Sequence, residues 1–232
     1  MTNSQPGLAG LPWSSNNQQT SSNEVLSPDP AAGTLVCVLH IAEATVPTKY
    51  GTFVAHAYSN PADDQEHLAY VMGDPRSADV PLVRLHSECL TGDALGSARC
   101  DCGQQLDLAL SFIADAGVGV LVYLRGHEGR GIGLASKIQA YALQDQNQLD
   151  TVDANVAQGL PIDARSYEAG ASILRDLGLS TIALMTNNPA KVTALTNAGF
   201  VISEQVLLHT EPTPHNRRYL ETKRDRLGHT IG

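Results

Sequence analysis

Three of the four cysteines in this 232-residue chain crowd into one stretch, "ECLTGDALGSARCDCGQQ". Cys89, Cys100 and Cys102 have the spacing C-x10-C-x-C. The single residue between the last two departs from the redox C-x-x-C arrangement. Three thiolates without an evident fourth ligand suit a zinc ion that keeps one place for water, whereas structural zinc normally takes four protein ligands. Zinc of the first kind lowers the pKa of its water and supplies hydroxide near neutral pH. His86, just upstream, could complete a structural set, although a histidine in an apolar strand is more often a hydrogen-bonded core residue. Three ordinary reduced thiols are the third reading. Spacing alone leaves these open and names no reaction.

A second chemical signal is "YLRGHEGRGIGL", Tyr123 to Leu134. Its glycines permit close backbone approach, and the helix start beyond it favours an anion. It matches neither the Walker pattern nor G-x-G-x-x-G. Arg125 and Arg130 bracket it, and a planar guanidinium suits bidentate phosphate binding. His127 reads as a solvated loop tip. Glu128 reads as a candidate ligand-binding carboxylate.

These residues need elements to hold them. "TLVCVLHIAEATVP", "YGTFVAHAYS", "HLAYVMGD" and "PLVRLHSE" read as four strands of an antiparallel or mixed sheet, with Cys37 buried in the first. Leu106, Ala109, Leu110 and Ile113 recur at helical spacing in "QQLDLALSFIADAG". "GVGVLVYLR" is a continuously apolar strand, and "GIGLASKIQAYALQDQ" a helix after the glycine turn. "SYEAGASILRDLG" is a helix stopped near Gly178, "STIALMT" a strand, "NPAKVTALTNAG" a helix opened by Pro189, and "FVISEQVLL" a strand. "NRRYLETKRDRLGH" reads as a polar helix. The alternation predicts an α/β (mixed α+β) fold, a layered mixed sheet with flanking helices.

Composition narrows the function. A formal net charge of -9 argues against general nucleic-acid binding, which rests on Lys and Arg neutralising phosphates. An anionic small molecule can still bind if a few basic residues converge. No apolar run approaches the roughly 20 residues of a membrane span. Residues 1–33 hold no Lys or Arg and no periodicity, which predicts a disordered tail before a domain over 34–232. The tail has neither the basic start and apolar stretch of a secretory signal nor an Arg-rich transit composition. A cytoplasmic protein with reduced thiols is expected.

In order, "RLHSECLTGDALGSARCDCGQQL", "YLRGHEGRGIGL", "KIQAYALQD", "DTVDAN", "PIDARSY" and "MTNNPAKV" resemble GTP cyclohydrolase II, from about Leu35 to His229. The resemblance implies a zinc-dependent, homodimeric enzyme opening the riboflavin pathway. It would convert GTP to 2,5-diamino-6-(5-phosphoribosylamino)pyrimidin-4(3H)-one, formate and pyrophosphate. The zinc ligands, one ion per subunit, would be Cys89, Cys100 and Cys102. The GTP contacts would be Arg84, Leu85, His86, Ser87, Glu88, Gln105, Glu128, Gly129, Arg130, Thr151, Thr186 and Lys191, with Mg²⁺ on the phosphates. Read without the resemblance, Thr151 and Thr186 are helix caps and Lys191 a solvated lysine.

The resemblance also implies Tyr141, Asp163 and Arg165 as catalytic residues. Arg165 as a nucleophile at phosphorus conflicts with its chemistry, since a protonated guanidinium has no free lone pair. Stabilising charge on the α-phosphate suits it better. Some relatives carry a dihydroxybutanone phosphate synthase domain in front; the short tail here predicts the cyclohydrolase activity alone. Two alternatives remain: ring opening that stops at the formamidopyrimidine nucleotide, and a zinc-containing nucleotide-binding protein without catalysis.

Overall fold

The computed structural model describes residues 38–230. The tail expected over 1–33, and the buried Cys37 expected in the first strand, lie outside the described residues. β1 (Leu39–Thr48), β2 (Gly51–Asn60) and β3 (Gln65–Met72) form an antiparallel meander. Then come β4 (Leu82–Ser87), a single turn α1 (Leu90–Asp93), α2 (Cys102–Ala116) and β5 (Gly119–Leu124). A 3-10 turn at Glu128–Arg130 leads to α3 (Leu134–Asn147), α4 (Thr151–Ala157) and α5 (Glu168–Asp176). β6 (Thr181–Met185), α6 (Pro189–Asn197), β7 (Val201–Val206) and α7 (Arg217–Leu227) follow.

The strands make one seven-stranded sheet in the order β1-β2-β3-β5-β4-β6-β7. β3 pairs with β5 antiparallel, while β5, β4, β6 and β7 run parallel. This is the mixed α/β class expected from the sequence. β5 reads as continuously apolar because both its faces are covered. Val120, Val122 and Leu124 pack into a cluster with Ala169, Ile173 and Leu174 of α5. Leu121 packs on the other face with Ala109 and Ile113 of α2. Complete burial of Ile113, worth about 1.5–3 kcal/mol, anchors the helix whose first residue is Cys102. No helix among the described residues is long and apolar enough to cross a membrane.

Caps set the starts of two helices near the cleft described below. Asn188 accepts a hydrogen bond from Ala190 N at 2.9 Å, with Pro189 inside the first turn of α6. Asp150, not Thr151, caps α4, accepting from Val152 N and Asp153 N at 2.8 Å each. α1, α4 and the 3-10 turn were not expected, being too short to show a period. α7 departs from the polar helix expected of it: Leu220, Thr222 and Lys223 are buried. A lysine and a threonine turned inward dilute its apolar face.

β5, β4 and β6 are adjacent, parallel and end together. The chain leaving their carboxyl ends at 88–89, 125–130 and 186–188 therefore meets in one place. Open α/β sheets bind ligands at such a crevice.

Candidate functional site

The loop after β4 and the start of α2 bring Cys89, Cys100 and Cys102 together, their sulfurs all within 4.8 Å of one another. Cys89 Sγ and Cys100 Sγ are 3.6 Å apart. Zinc–sulfur bonds of about 2.3 Å would set tetrahedral neighbours about 3.8 Å apart, so donor type and spacing fit zinc. Two glycines permit the approach. A Cβ on Gly92 would lie 2.7 Å from Cys100 Sγ and 3.1 Å from Cys89 Sγ, and one on Gly103 would lie 2.4 Å from Gly92 O. Hydrogen bonds from Cys100 and Cys102 hold the Cys89 thiol far below its ordinary pKa. Lys137 adds a charge-assisted contact, its Nζ 3.2 Å from Cys89 Sγ.

His86 lies outside this group. Its Nε2 donates to Asp93, 3.0 Å away, which also accepts from Cys89 N at 3.0 Å and Tyr123 OH at 2.8 Å. Burial depresses the His86 pKa, so the ring is a neutral core residue that braces the cysteine loop. This is the bland alternative weighed for it above.

The cysteines form one wall of an open cleft at the carboxyl ends of β4, β5 and β6. Arg84, His86, Ser87, Glu88, Gln105, Glu128, Gly129, Arg130, Tyr141, Thr151, Arg165, Thr186 and Lys191 also line it. Leu85 turns its side chain into the core and reaches the site only through its carbonyl, which accepts from Lys191 Nζ at 2.7 Å. Asp163 stands behind Arg165, taking Nε at 2.9 Å and an Nη at 2.6 Å in a bidentate pair.

The cleft is cationic within an acidic chain. Arg84, Arg130, Lys137, Arg165, Lys191 and Lys223 line it against two carboxylates, Glu88 and Glu128. Burial draws Arg84 down to about 10, still protonated at neutral pH. Burial lowers Lys191 well below its ordinary value too, with Arg84 and Arg165 adding repulsion. Arg130 has a left-handed backbone, φ 68°, and both its terminal nitrogens are buried without a hydrogen-bond partner among the described residues. Strain and an unmet buried donor set are costly together, and an anion would offset the second. Lys191, read from sequence as a solvated lysine without the resemblance, is 4% exposed.

His127 is a correction. It is no solvated loop tip: its ring packs edge-on against Tyr167, and Nδ1 is 3.1 Å from Ser87 Oγ. Burial, then Arg165 and Lys191, push its pKa down to about 3, so it stays neutral beside the cations. Thr186 caps no helix either; its Oγ1 accepts from Asn188 N at 3.1 Å in the turn before α6. Tyr141 faces the cleft with the Arg99 guanidinium 4.8 Å from its ring centre, and burial raises its pKa.

Several cleft residues escaped the sequence reading. Lys137, one helical turn before Tyr141, donates to Glu128 at 2.5 Å and to Thr91 Oγ1 at 2.8 Å, besides Cys89. Glu128 accepts from Leu90 N at 2.7 Å as well, so both its oxygens are engaged. Tyr219, Lys223 and Leu227 line the cleft from α7 at i, i+4 and i+8, a stripe that was available as a signal. Lys223 meets Asp101 at 2.6 Å, and Gln105 bridges Asp101 to Arg84 at 2.6 Å on each side. Burial alone would raise Asp101, but Lys223 and Gln105 overcome it and hold the pKa low.

The profile of the GTP cyclohydrolase II family matches residues 39–207. The riboflavin biosynthesis protein RibBA of Salinispora tropica is 53% identical over 192 residues, 83% of this chain and 48% of that protein. The monofunctional riboflavin biosynthesis protein RIBA 3, chloroplastic, of Arabidopsis thaliana is 54% identical over 192 residues, 83% of this chain and 38% of that one. The chain thus spans half or less of the length of these curated relatives. A solved structure, RibBX, a two-domain 3,4-dihydroxy-2-butanone 4-phosphate synthase from A. baumannii, aligns with a TM-score of 0.44 at 22% identity, covering 75% of this chain and 41% of that one. That likeness is too slight to bear on the site.

Proposed function

This chain belongs to the GTP cyclohydrolase II family, and from that premise we propose that it hydrolyses GTP to 2,5-diamino-6-(5-phosphoribosylamino)pyrimidin-4(3H)-one, formate and pyrophosphate. The reading places it at the entry to riboflavin biosynthesis. The observation that carries it is one cleft with a three-thiol group in its wall and six cations lining it. A polyanion and a hydrolysable ring carbon need these two features side by side.

Cys89, Cys100 and Cys102 would hold one zinc ion, which supplies hydroxide near neutral pH for hydrolysis at C8 of guanine. The chain's own residues do the rest. Arg130, whose terminal nitrogens have no partner among the described residues, and Lys191 take the triphosphate. Mg²⁺ would accompany the triphosphate and neutralise part of its charge. Reading of the guanine N1–H and amino group falls to the two carboxylates that line the cleft, Glu88 and Glu128. Gln105, Ser87, Thr151 and Thr186 supply the remaining polar contacts. Tyr141 orients water or stabilises charge at C8, with Lys137 between it and Cys89. Arg165, fixed by Asp163, stabilises charge on the α-phosphate while water attacks phosphorus and pyrophosphate leaves.

The proposal extends to a catalytic domain over 34–232 and to a cytoplasmic homodimer with one zinc per subunit. Its test is incubation of the purified protein with GTP and Mg²⁺, with and without a zinc chelator, followed by mass spectrometry. Formate, pyrophosphate and the diaminopyrimidine nucleotide are expected, all lost on chelation. A formamidopyrimidine endpoint would replace the complete reaction with ring opening alone. No turnover by folded, zinc-loaded protein would overturn the enzymatic reading.

A further inference from the structure

The antiparallel hairpin of β1 and β2 carries a second group of donor atoms that the cleft does not use. His40, Glu43 and His56 bring their ligating atoms within 4.8 Å of one another on an accessible surface. His40 Nε2 is 3.2 Å from His56 Nδ1, and Glu43 Oε2 is also 3.2 Å from that nitrogen.

A bulge makes this possible. His40 pairs with Tyr58, Ala42 with Ala57 and Glu43 with His56, so Ile41 is an extra residue on β1. Regular alternation would send His40 and Glu43, three apart, to opposite faces. The inserted residue resets the alternation and puts both on the face of His56, and re-aiming side chains in this way is a common use of bulges. His40 then packs against the His56 and Tyr58 rings, with centroids 5.2 and 5.1 Å away. Tyr58 is itself fixed by its hydroxyl donating to Asp176 at 2.8 Å.

Hydrogen bonding alone serves this arrangement poorly. His56 Nδ1 has one position, either a proton or a lone pair, and it faces both an imidazole nitrogen and a carboxylate. A deprotonated Nδ1 sets its lone pair against Glu43; a protonated one must share a single hydrogen between two acceptors. A divalent cation satisfies all three lone pairs at once. Zinc–nitrogen and zinc–oxygen bonds of about 2.0–2.2 Å separate tetrahedral neighbours by about 3.4 Å, close to both separations seen here.

We propose that His40, Glu43 and His56 form a second metal site, for a divalent imidazole-preferring transition ion such as Zn²⁺, distinct from the cysteine group. Two histidines and one carboxylate leave a coordination place open to solvent. The ion links β1, the edge strand, to β2. Binding only to the folded hairpin raises thermal stability by mass action.

The test is equilibrium dialysis of the full chain against micromolar Zn²⁺, with metal counted per chain, for the unmodified protein and for His40→Gln/His56→Gln. His40 is exposed, and glutamine keeps a polar group at the half-buried His56 position, so the variant is expected to fold. Unmodified protein should hold one more equivalent than the variant, and added Zn²⁺ should raise its Tm by an increment the variant lacks. Cys100→Ser, if it folds, should keep the hairpin equivalent. Equal zinc content in the unmodified chain and the histidine variant would overturn the proposal, whatever the cysteine group holds.

Discussion

Arg165 decides what kind of chemistry its corner of the cleft can perform. Its bidentate pair with Asp163 raises its pKa above the ordinary value, against the pull of burial. A guanidinium held so firmly protonated stabilises developing charge and cannot attack phosphorus. Arg165→Gln is therefore expected to lower kcat by roughly 10²–10³, with partial recovery when free guanidinium is added to the assay. A nucleotidyl adduct on Arg165, sought by intact mass during turnover, would sink this role. The same scale shows what local sequence conveys and what it hides. Cysteine spacing is local, so Cys89, Cys100 and Cys102 could be read as a group. Exposure is not local. His127 in "RGHEGRG" looks like a loop tip until Tyr167, distant in sequence, packs against it. Lys137 looks like any helix lysine until Cys89 and Glu128 arrive from other elements.

At the scale of elements, the helices and strands with a clear period were legible, and α7 was legible as a helix but not as a partly buried one. Its apolar content is slight because it contributes Lys223 and Thr222 to the interior rather than leucines. Lys223 reaches Asp101, between two of the cysteines, with side-chain exposures of 11% and 3%. Breaking a buried pair by removing one partner costs about 3–5 kcal/mol, because the other charge stays buried and alone. Lys223→Met should thus destabilise the protein by about that amount in urea unfolding. Lys223→Met/Asp101→Asn should recover a substantial part, because the double variant leaves no orphaned carboxylate. Strictly additive losses would mean that the two residues do not act as a pair. The cycle also asks whether α7 is an independent appendage or a brace for the cysteine loop, and coupling favours the brace.

For the molecule as a whole, the alternation of strands and helices in the second half gave away the layered α/β class, because parallel strands covered on both faces read as unbroken apolar runs. Strand order was hidden, since which edge β3 pairs with depends on contacts far apart in sequence. The six cations of the cleft come from β4, the loop after β5, α3, the loop before α5, α6 and α7, and only the fold makes them one surface. Their convergence sets the acid behaviour of the protein. His127 and His229 are both drawn from 6.5 down to about 3, mainly by burial and then by surrounding cations. Each is neutral in the folded state and takes up a proton on unfolding below about pH 6.5. The unfolded state then binds more protons, so stability is full above that pH and falls as pH drops toward 3. The slope is about 1.4 kcal/mol per pH unit for each histidine once the unfolded form is protonated. Asp101 and Asp163, whose pKa values are lowered, act in the same direction but only below about pH 4, leaving the interval from 6.5 to 4 to the histidines, of which His56, His67 and His86 are also lowered by burial and share the slope with these two. Urea midpoints across that interval should fall steeply for the unmodified chain and less steeply for His127→Gln/His229→Gln. An unchanged slope would show that the two histidines already protonate in the folded cleft, against the burial and the surrounding positive charge that hold them neutral.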